Sequence, residues 1–370
     1  MEFTLKKFDL LQELTLIQGV VERKTTIPVL ANVLLNAVDE RLGIVATDLE
    51  IGLKTHCEAK VSASGTVTLP AKRLFEIVRA LPDKEIRFRK GDGQWMNLTC
   101  GASRFRIAGL PEEDFPKLPD PKGARLRIPA GVLSQLIGRT IYAISAEDSK
   151  YTFSGALLFV KPGSVTMVAT DGHRLSYVEK KGVAEDVAEE MKVLIPRKAM
   201  AELQRMLSET TDGTEVIFSR DESHLFFDLG DRLLVSRVLS GQFPNWEAVL
   251  PRSNERTFTI GRDEIASAVR RVAILADDRS KTVRFGLKKG VLEIAASHSD
   301  LGDADETLAI DYDQEEFQIG FNYQYLLDFL STLPETRVSF EFKDGESATQ
   351  LRGMPGEEFA SRYIVMPMRI

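Results

Sequence analysis

One pattern occurs three times in this chain at a constant interval, and it limits the possible folds more than any other feature. The segments Pro70–Leu81, Pro196–Leu207 and Asn322–Leu333 start 126 residues apart and align without gaps. Leu74, Ile77 and Leu81 correspond to Met200, Leu203 and Leu207, and then to Leu326, Phe329 and Leu333. Spacings of three and four place each set on one face of a helix. Proline suits the first helical turn, where its missing N–H has no partner to lose.

A second helix also recurs. Leu10, Leu14, Ile17 and Val21 form its stripe in the first third. Leu133, Ile137, Ile141 and Ile144 do so in the second, and Ile265, Val269 and Val272 in the third. Each follows a short strand-like run: Phe3–Leu5, Leu126–Ile128 and Phe258–Ile260. The strand Ile44–Asp48 resembles Met167–Asp171 and Ile294–His298. Alternating β-branched and polar residues fill the remainder, and turns such as Gly91-Asp92-Gly93 and Lys343-Asp344-Gly345 mark hairpins. The repeat ends agree too, at Asp114-Phe115-Pro116, Gln242-Phe243-Pro244 and Val365-Met366-Pro367. The expected fold is α+β: three tandem domains at 1–125, 126–251 and 252–370, each with two helices and antiparallel sheets. The length of 370 residues is consistent with this at roughly 100–200 residues per domain.

The net charge of −7 argues against a generic polyanion binder, but a total conceals its distribution. The three thirds carry +2, −3 and −6 in order. Contact between the first domain of one copy and the third of another is therefore electrostatically favourable. A twofold dimer with two such contacts closes into a six-domain ring. The strand Arg104-Phe105-Arg106-Ile107 alternates cation and apolar residue, either as an ordinary half-buried strand or as part of such a contact.

The second helices repeat Lys72, Glu76 and Arg79 as Lys198, Glu202 and Arg205, with Arg73 beside the first set and Arg197 beside the second. A single such helix reads as a solvated face with paired charges. Recurrence makes a shared electropositive surface for phosphate competitive with that reading.

Catalytic patterns are scarce. The chain has no phosphate-binding glycine loop and no H-E-x-x-H. Its two cysteines, Cys57 and Cys100, lack metal or redox spacing, and no cofactor is expected. One run, Thr170-Asp171-Gly172-His173-Arg174-Leu175, admits a hydrolase reading with His173 as base, Asp171 behind it and Ser154 or Ser176 as nucleophile. Asp171-Gly172 reads more simply as a tight turn, so a structural or binding role is preferred. The N-terminus has no secretory pattern and no apolar run approaches about 20 residues, so a cytoplasmic protein without membrane contact is expected. The ending Tyr363–Ile370 is apolar to the last residue, and its methionines suit an adaptable binding surface.

Lys24–Leu30, Thr47–Glu50, Ala169–Leu175, Ile195–Lys198, Phe243-Pro244 and Val365–Arg369 together resemble the bacterial DNA polymerase III β subunit, the replicative sliding clamp. The resemblance runs through the whole chain in order. It implies a homodimeric ring of six clamp domains around duplex DNA, which tethers the replicative polymerase without catalysis. The partners it implies are the DNA polymerase III catalytic subunit, an ATP-driven clamp loader, and other polymerases and repair proteins that carry short peptide motifs.

For a partner-peptide pocket the resemblance implies Thr170, Gly172, His173, Arg174, Leu175, Pro244, Val249, Val365, Met366, Pro367, Met368 and Arg369. Thr152 and Phe153 stand where the family often has tyrosine and leucine, Ala248 replaces a common arginine and Ile370 a terminal leucine. For DNA it implies Lys24, Arg73, Lys150, Tyr151, Arg197 and Lys198. For the dimer it implies Phe105, Ile107, Ile274 and Leu275, with Asp300, Asp303, Asp305 and Glu306 facing the first domain's cations.

Overall fold

The computed structural model describes residues 1–22, 26–123, 125–145, 153–355 and 358–369. In the first third, β1 (Glu2–Lys6) leads into α1 (Lys7–Val20). There follow β2 (Asn32–Val38), β3 (Arg41–Thr47), β4 (Ile51–Glu58), β5 (Lys60–Ala63) and β6 (Gly65–Pro70). Then come α2 (Ala71–Ala80), β7 (Glu85–Lys90), β8 (Trp95–Cys100) and β9 (Ser103–Ala108). The second third holds β10 (Leu126–Pro129), α3 (Ala130–Gly138), β11 (Gly155–Lys161), β12 (Ser164–Thr170), β13 (Arg174–Lys181) and β14 (Met191–Pro196). It continues with α4 (Arg197–Leu207), β15 (Glu215–Arg220), β16 (His224–Asp228) and β17 (Arg232–Arg237). The last third repeats the order: β18 (Arg256–Gly261), α5 (Arg262–Val272), β19 (Thr282–Lys288), β20 (Val291–His298), β21 (Gly302–Ala309) and β22 (Phe317–Asn322). It ends with α6 (Tyr323–Thr332), β23 (Arg337–Phe342), β24 (Thr349–Met354) and β25 (Ala360–Val365).

Both expected helices therefore form in every repeat. Asn322 replaces the leading proline for a physical reason, because its side chain accepts the Gln324 N–H at 3.0 Å and caps α6. The stripe on α2 is displaced from the expected one. Ala71, Leu74 and Val78 are buried and Ile77 only partly, whereas Leu203 and Phe329 at the equivalent site are buried. Each fully buried aliphatic side chain contributes roughly 1.5–3 kcal/mol. The stripe expected through Ile144 breaks after Gly138, and Ile141 lies in a single 3-10 turn. Thr140 stabilises that end by donating its hydroxyl to the Leu136 carbonyl at 2.7 Å.

The chain folds into two compact units, residues 1–131 with 198–238 and residues 132–197 with 239–370. Their composition follows from how the sheets are joined. In the first unit an eight-stranded sheet runs β10-β15-β16-β17-β4-β3-β2-β6, so a half-sheet of the second repeat continues into one of the first. The joint is antiparallel, with Arg232 opposite Thr55 and Ser236 opposite Ile51. In the second unit the sheet β14-β11-β12-β13-β25-β24-β23-β18 joins the second and third repeats, with Arg174 opposite Val365. Two smaller sheets remain. The order β5-β1-β7-β8-β9 ends at β9, and β21-β20-β19-β22 begins at β21.

The core of the second unit includes Phe258, Phe285, Phe321, Phe340 and Phe342 between the sheets and helices α5 and α6. In the first unit Phe3 stacks on Phe88 at 4.7 Å. Among the described residues no helix is long and apolar enough to cross a membrane.

Candidate functional site

The run Thr170–Leu175 forms the corner between β12 and β13, and its residue types are those the corner requires. Asp171 Oδ1 accepts the backbone N–H groups of His173 (2.9 Å) and Arg174 (3.0 Å). Thr170 Oγ1 donates to the Arg174 carbonyl at 2.7 Å and accepts the Gly172 N–H at 3.1 Å. Gly172 takes a positive φ of 93°, where a side chain is disfavoured. Asp171 thus serves the turn and does not orient the His173 ring. Ser176 donates to the Arg139 carbonyl at 2.6 Å. Asp171 and Ser176 are thus both engaged elsewhere, against the hydrolase reading.

Arg174 is 9% exposed and its guanidinium is fully engaged. Nε donates to Asp171 Oδ2 (3.0 Å), Nη1 to Asp328 Oδ2 (2.6 Å) and Nη2 to the Tyr142 carbonyl (2.5 Å). It also lies over the Tyr325 ring at 4.3 Å. Burial alone would favour the neutral form, but Tyr363, Asp328 and Asp171 outweigh it and hold the guanidinium charged. Burial raises the Tyr142 hydroxyl above its ordinary range, and Ser176 and Arg174 only partly oppose this. Arg174 therefore fixes the corner from beneath. Tyr142, Tyr325 and Asp328 were not legible as site residues, although Tyr325 and Asp328 share a helix face at i, i+3 spacing.

The corner meets the C-terminal segment directly. The Met366 N–H donates to the His173 carbonyl at 2.9 Å, continuing the β13–β25 ladder past Val365. The Met368 N–H is tied to the Gly320 carbonyl at 2.8 Å. Met366 stays 45% exposed beside exposed His173, and Leu175 is buried below among Leu157, Phe159, Val168, Leu194 and Ile364. Phe243 and Trp246 pack against that cluster, with Pro244 half-buried between them and Val249 exposed at the end of a short turn. Phe153 is half-buried, and its carbonyl accepts the Ser145 N–H at 3.0 Å. A cavity of about 830 Å3 adjoins the tail, lined by Pro367, Met368 and Arg369 together with Gln318, Gly345 and Glu346. The last three belong to turns and a strand edge without any distinguishing pattern. The arrangement offers an apolar floor, methionines that repack at low cost and exposed backbone, which suits a short apolar peptide.

The cations of the second helices have mixed surroundings. Arg73 is exposed and pairs with Glu76 at 2.8 Å. Arg197 is exposed, and its N–H donates to the Ser154 carbonyl at 3.0 Å. Lys198 instead holds the buried carboxylate of Asp48. Lys24, Lys150, Tyr151 and Thr152 lie outside the described residues. On β9, Phe105 is 37% exposed and Ile107 is buried. Ile274 is 76% exposed and Leu275 half-buried. Glu306 was expected to face cations of the first domain, but it accepts two hydrogen bonds from Arg271 beside it. Among the described residues no group of three or more His, Cys, Asp or Glu could hold a metal.

Three family models match the chain in order. They describe the N-terminal domain of the DNA polymerase III beta subunit (residues 1–119), its central domain (127–245) and its C-terminal domain (247–369). Relatives named beta sliding clamp from Pseudomonas aeruginosa and Caulobacter vibrioides are each 34% identical, over 372 and 378 residues, with 100% of both chains covered. Sliding clamps from Pseudomonas aeruginosa and Bartonella birtlesii, each solved bound to griselimycin, match with TM-scores of 0.94 at 34% identity over 100% of both chains. Together with the threefold repeat and the corner at Asp171, these matches show that the chain belongs to the DNA polymerase III beta subunit family, the bacterial sliding clamps.

Proposed function

We propose that ring closure in this clamp is set by β9 and β21, edge strands whose equivalents in the other repeats are joined within the chain. Within the chain, a half-sheet ending in β4 or β13 continues into one ending in β17 or β25. By repeat position, β21 corresponds to β4 and β13, and β9 to β17 and β25. Among the described strands in these positions, β21 and β9 alone lack such a continuation, and this observation carries the reading. Two copies joined β21 to β9 satisfy both edges twice and close a homodimeric ring of six clamp domains. Cationic Arg104 and Arg106 on β9 would meet acidic Asp303 and Asp305 on β21. Phe105, Ile107, Ile274 and Leu275 would supply apolar contact.

The protein is a sliding clamp, a non-catalytic processivity factor that tethers the replicative polymerase on duplex DNA and binds its partners and the clamp loader through a peptide pocket. We assign that pocket to the corner at Gly172–Leu175, to Phe153, Thr170, Pro244 and Val249, and to the tail Val365–Arg369, with Thr152 expected beside them. Arg174 holds the corner in shape, while His173 and Met366 meet the ligand. For DNA we assign Arg73, Arg197, Lys198, Lys24, Lys150 and Tyr151. Lys198 would do so while tied to Asp48, as a weak contact compatible with sliding. The domain limits 1–125, 126–251 and 252–370 and a cytoplasmic location belong to the same reading.

The test is topological. The protein is loaded onto a nicked circle with a clamp loader, and the circle is then linearised. Retention on the circle and release after cutting are expected. Release from the intact circle, or retention on the linear form, would rule out encirclement.

A further inference from the structure

The corner at Asp171 has a counterpart 123 residues earlier, between β3 and β4, that matches it bond for bond. Asp48 Oδ1 accepts the N–H groups of Glu50 (2.9 Å) and Ile51 (2.8 Å), as Asp171 does from His173 and Arg174. Thr47 Oγ1 donates to the Ile51 carbonyl (2.8 Å) and accepts the Leu49 N–H (3.0 Å), as Thr170 does one repeat later. The geometry is kept even against side-chain preference. Leu49, in the place of Gly172, adopts φ 76° and is 43% exposed.

The strand that follows is duplicated as well. The Arg237 N–H donates to the Glu50 carbonyl at 2.9 Å, just as the Met366 N–H donates to His173 at the same distance. Arg237 therefore stands where Met366 stands, and Gly52 stands where Leu175 forms the floor.

The two corners also differ in what lies over them. A Cβ added at Gly52 would collide with both terminal methyls of Leu118, so the Leu118 side chain lies directly over Gly52. The residue in the place of Leu118 one repeat later is Trp246, counted from Phe115-Pro116 and Phe243-Pro244. Trp246 packs on the Tyr177 ring at 5.1 Å and against the cluster around Leu175. Tyr177 corresponds to Lys54, which has no ring to offer. Lys54 Nζ pairs with Asp120 Oδ1 at 2.7 Å and ties down the segment carrying Leu118.

We propose that the corner at Asp48 is a second, closed copy of the peptide cleft. Leu118 occupies it in cis, and it accepts a short peptide with a leucine side chain once Leu118 is withdrawn. The ligand class follows from the occupant: the space over Gly52 holds an aliphatic side chain supplied by an extended segment. This inference rests on reading the corner at Asp171 as a peptide cleft.

The test counts sites. An N-acetylated five-residue peptide containing leucine and phenylalanine is titrated calorimetrically into the full-length dimer. The wild-type protein should take one peptide per chain. Leu118→Ala should take two, the second more weakly. Leu118→Met keeps the space over Gly52 filled and should take one. A Lys54→Ala/Asp120→Ala variant releases the same segment through surface side chains and decides the matter if Leu118→Ala folds poorly. Two sites in either variant support the proposal. One site per chain in both, or a second site in Leu118→Met, overturns it. A wild-type protein that takes no peptide overturns instead the reading of the Asp171 corner.

Discussion

Arg232 on β17 grips Glu13 on α1 at two points, Nη2 to Oε1 at 2.6 Å and Nε to Oε2 at 3.0 Å, although 219 residues separate them. Its third nitrogen, Nη1, reaches Glu209 at 2.7 Å. The cluster lies where the first repeat's half-sheet continues into the second's. At the other continuation Arg139 meets Glu335 (3.2 Å) and Ser361 (3.0 Å), and Arg174 meets Asp328. Each joint thus combines a shared sheet with a largely buried ion pair. A pair of this kind contributes little net stability relative to apolar packing, but breaking it strands a charge.

Removing one side of such a pair should therefore be costly. Glu13→Ala leaves Arg232 with only Glu209 and exposes the Thr55 hydroxyl to loss of its acceptor. A destabilisation of about 3 kcal/mol is expected in urea unfolding. A change below about 0.5 kcal/mol would show that the joint does not depend on the pair.

Arg174→Ala should destabilise by about 3–5 kcal/mol, because Asp171 and Asp328 lose their shared cation. Peptide affinity should fall with it, since the Asp171 corner loses its support. Asp328→Asn alone keeps a hydrogen-bond acceptor for Arg174 and should retain most of the affinity. Unchanged peptide binding in Arg174→Ala would separate the network from the cleft.

Ile274→Asp should give a folded monomer. The side chain is 76% exposed in the single chain, so its replacement should alter chain stability by no more than about 0.5 kcal/mol. Sedimentation should report a mass near 41.3 kDa in place of twice that. A dimer of unchanged affinity would move the interface elsewhere.

Deleting residues 366–370 should spare the dimer and remove peptide binding. The deletion takes away the Met366 edge on His173 and the Met368 tie to Gly320, and none of its described residues is buried. Retained affinity in the deleted chain would exclude the tail from the cleft.

Glu202 supplies a pH test. Burial raises its carboxyl above the ordinary value, against the pull of Arg205 and Lys198. A raised pKa means that its contribution is intact below the unfolded-chain value and declines as pH rises through the folded one. Glu202→Gln should therefore raise Tm relative to wild type at pH 7 and leave it nearly unchanged at pH 4. Equal differences at both pH values would exclude titration of this group as the cause.

Much of the architecture could be read from residue order, because helix stripes and turn residues answer to local geometry. The 126-residue interval, the second helices and the hairpins at Gly91–Gly93 and Lys343–Gly345 needed only periodicity and turn chemistry. The run Thr170–Leu175 stood out because a tight corner demands an aspartate and a glycine in those places. Its twin at Thr47–Gly52 was visible as a strand motif and as part of the resemblance but not as a corner, since Leu49 hides the same positive φ behind an ordinary residue.

Other features depended on contacts between distant segments. Strand edges are chemically alike, so nothing in β17 announces that it pairs with β4, and the two compact units follow from that pairing. The burial of Arg174 among Tyr142, Tyr325 and Asp328 required three separate elements to converge. Leu118 and Trp246 occupy equivalent places in sequence, yet one closes its corner and the other leans on Tyr177. Repetition and local conformation were determined by the sequence alone, because they depend on neighbours along the chain. Pairing, closure and charge burial were decided by the tertiary structure, because they depend on neighbours in space.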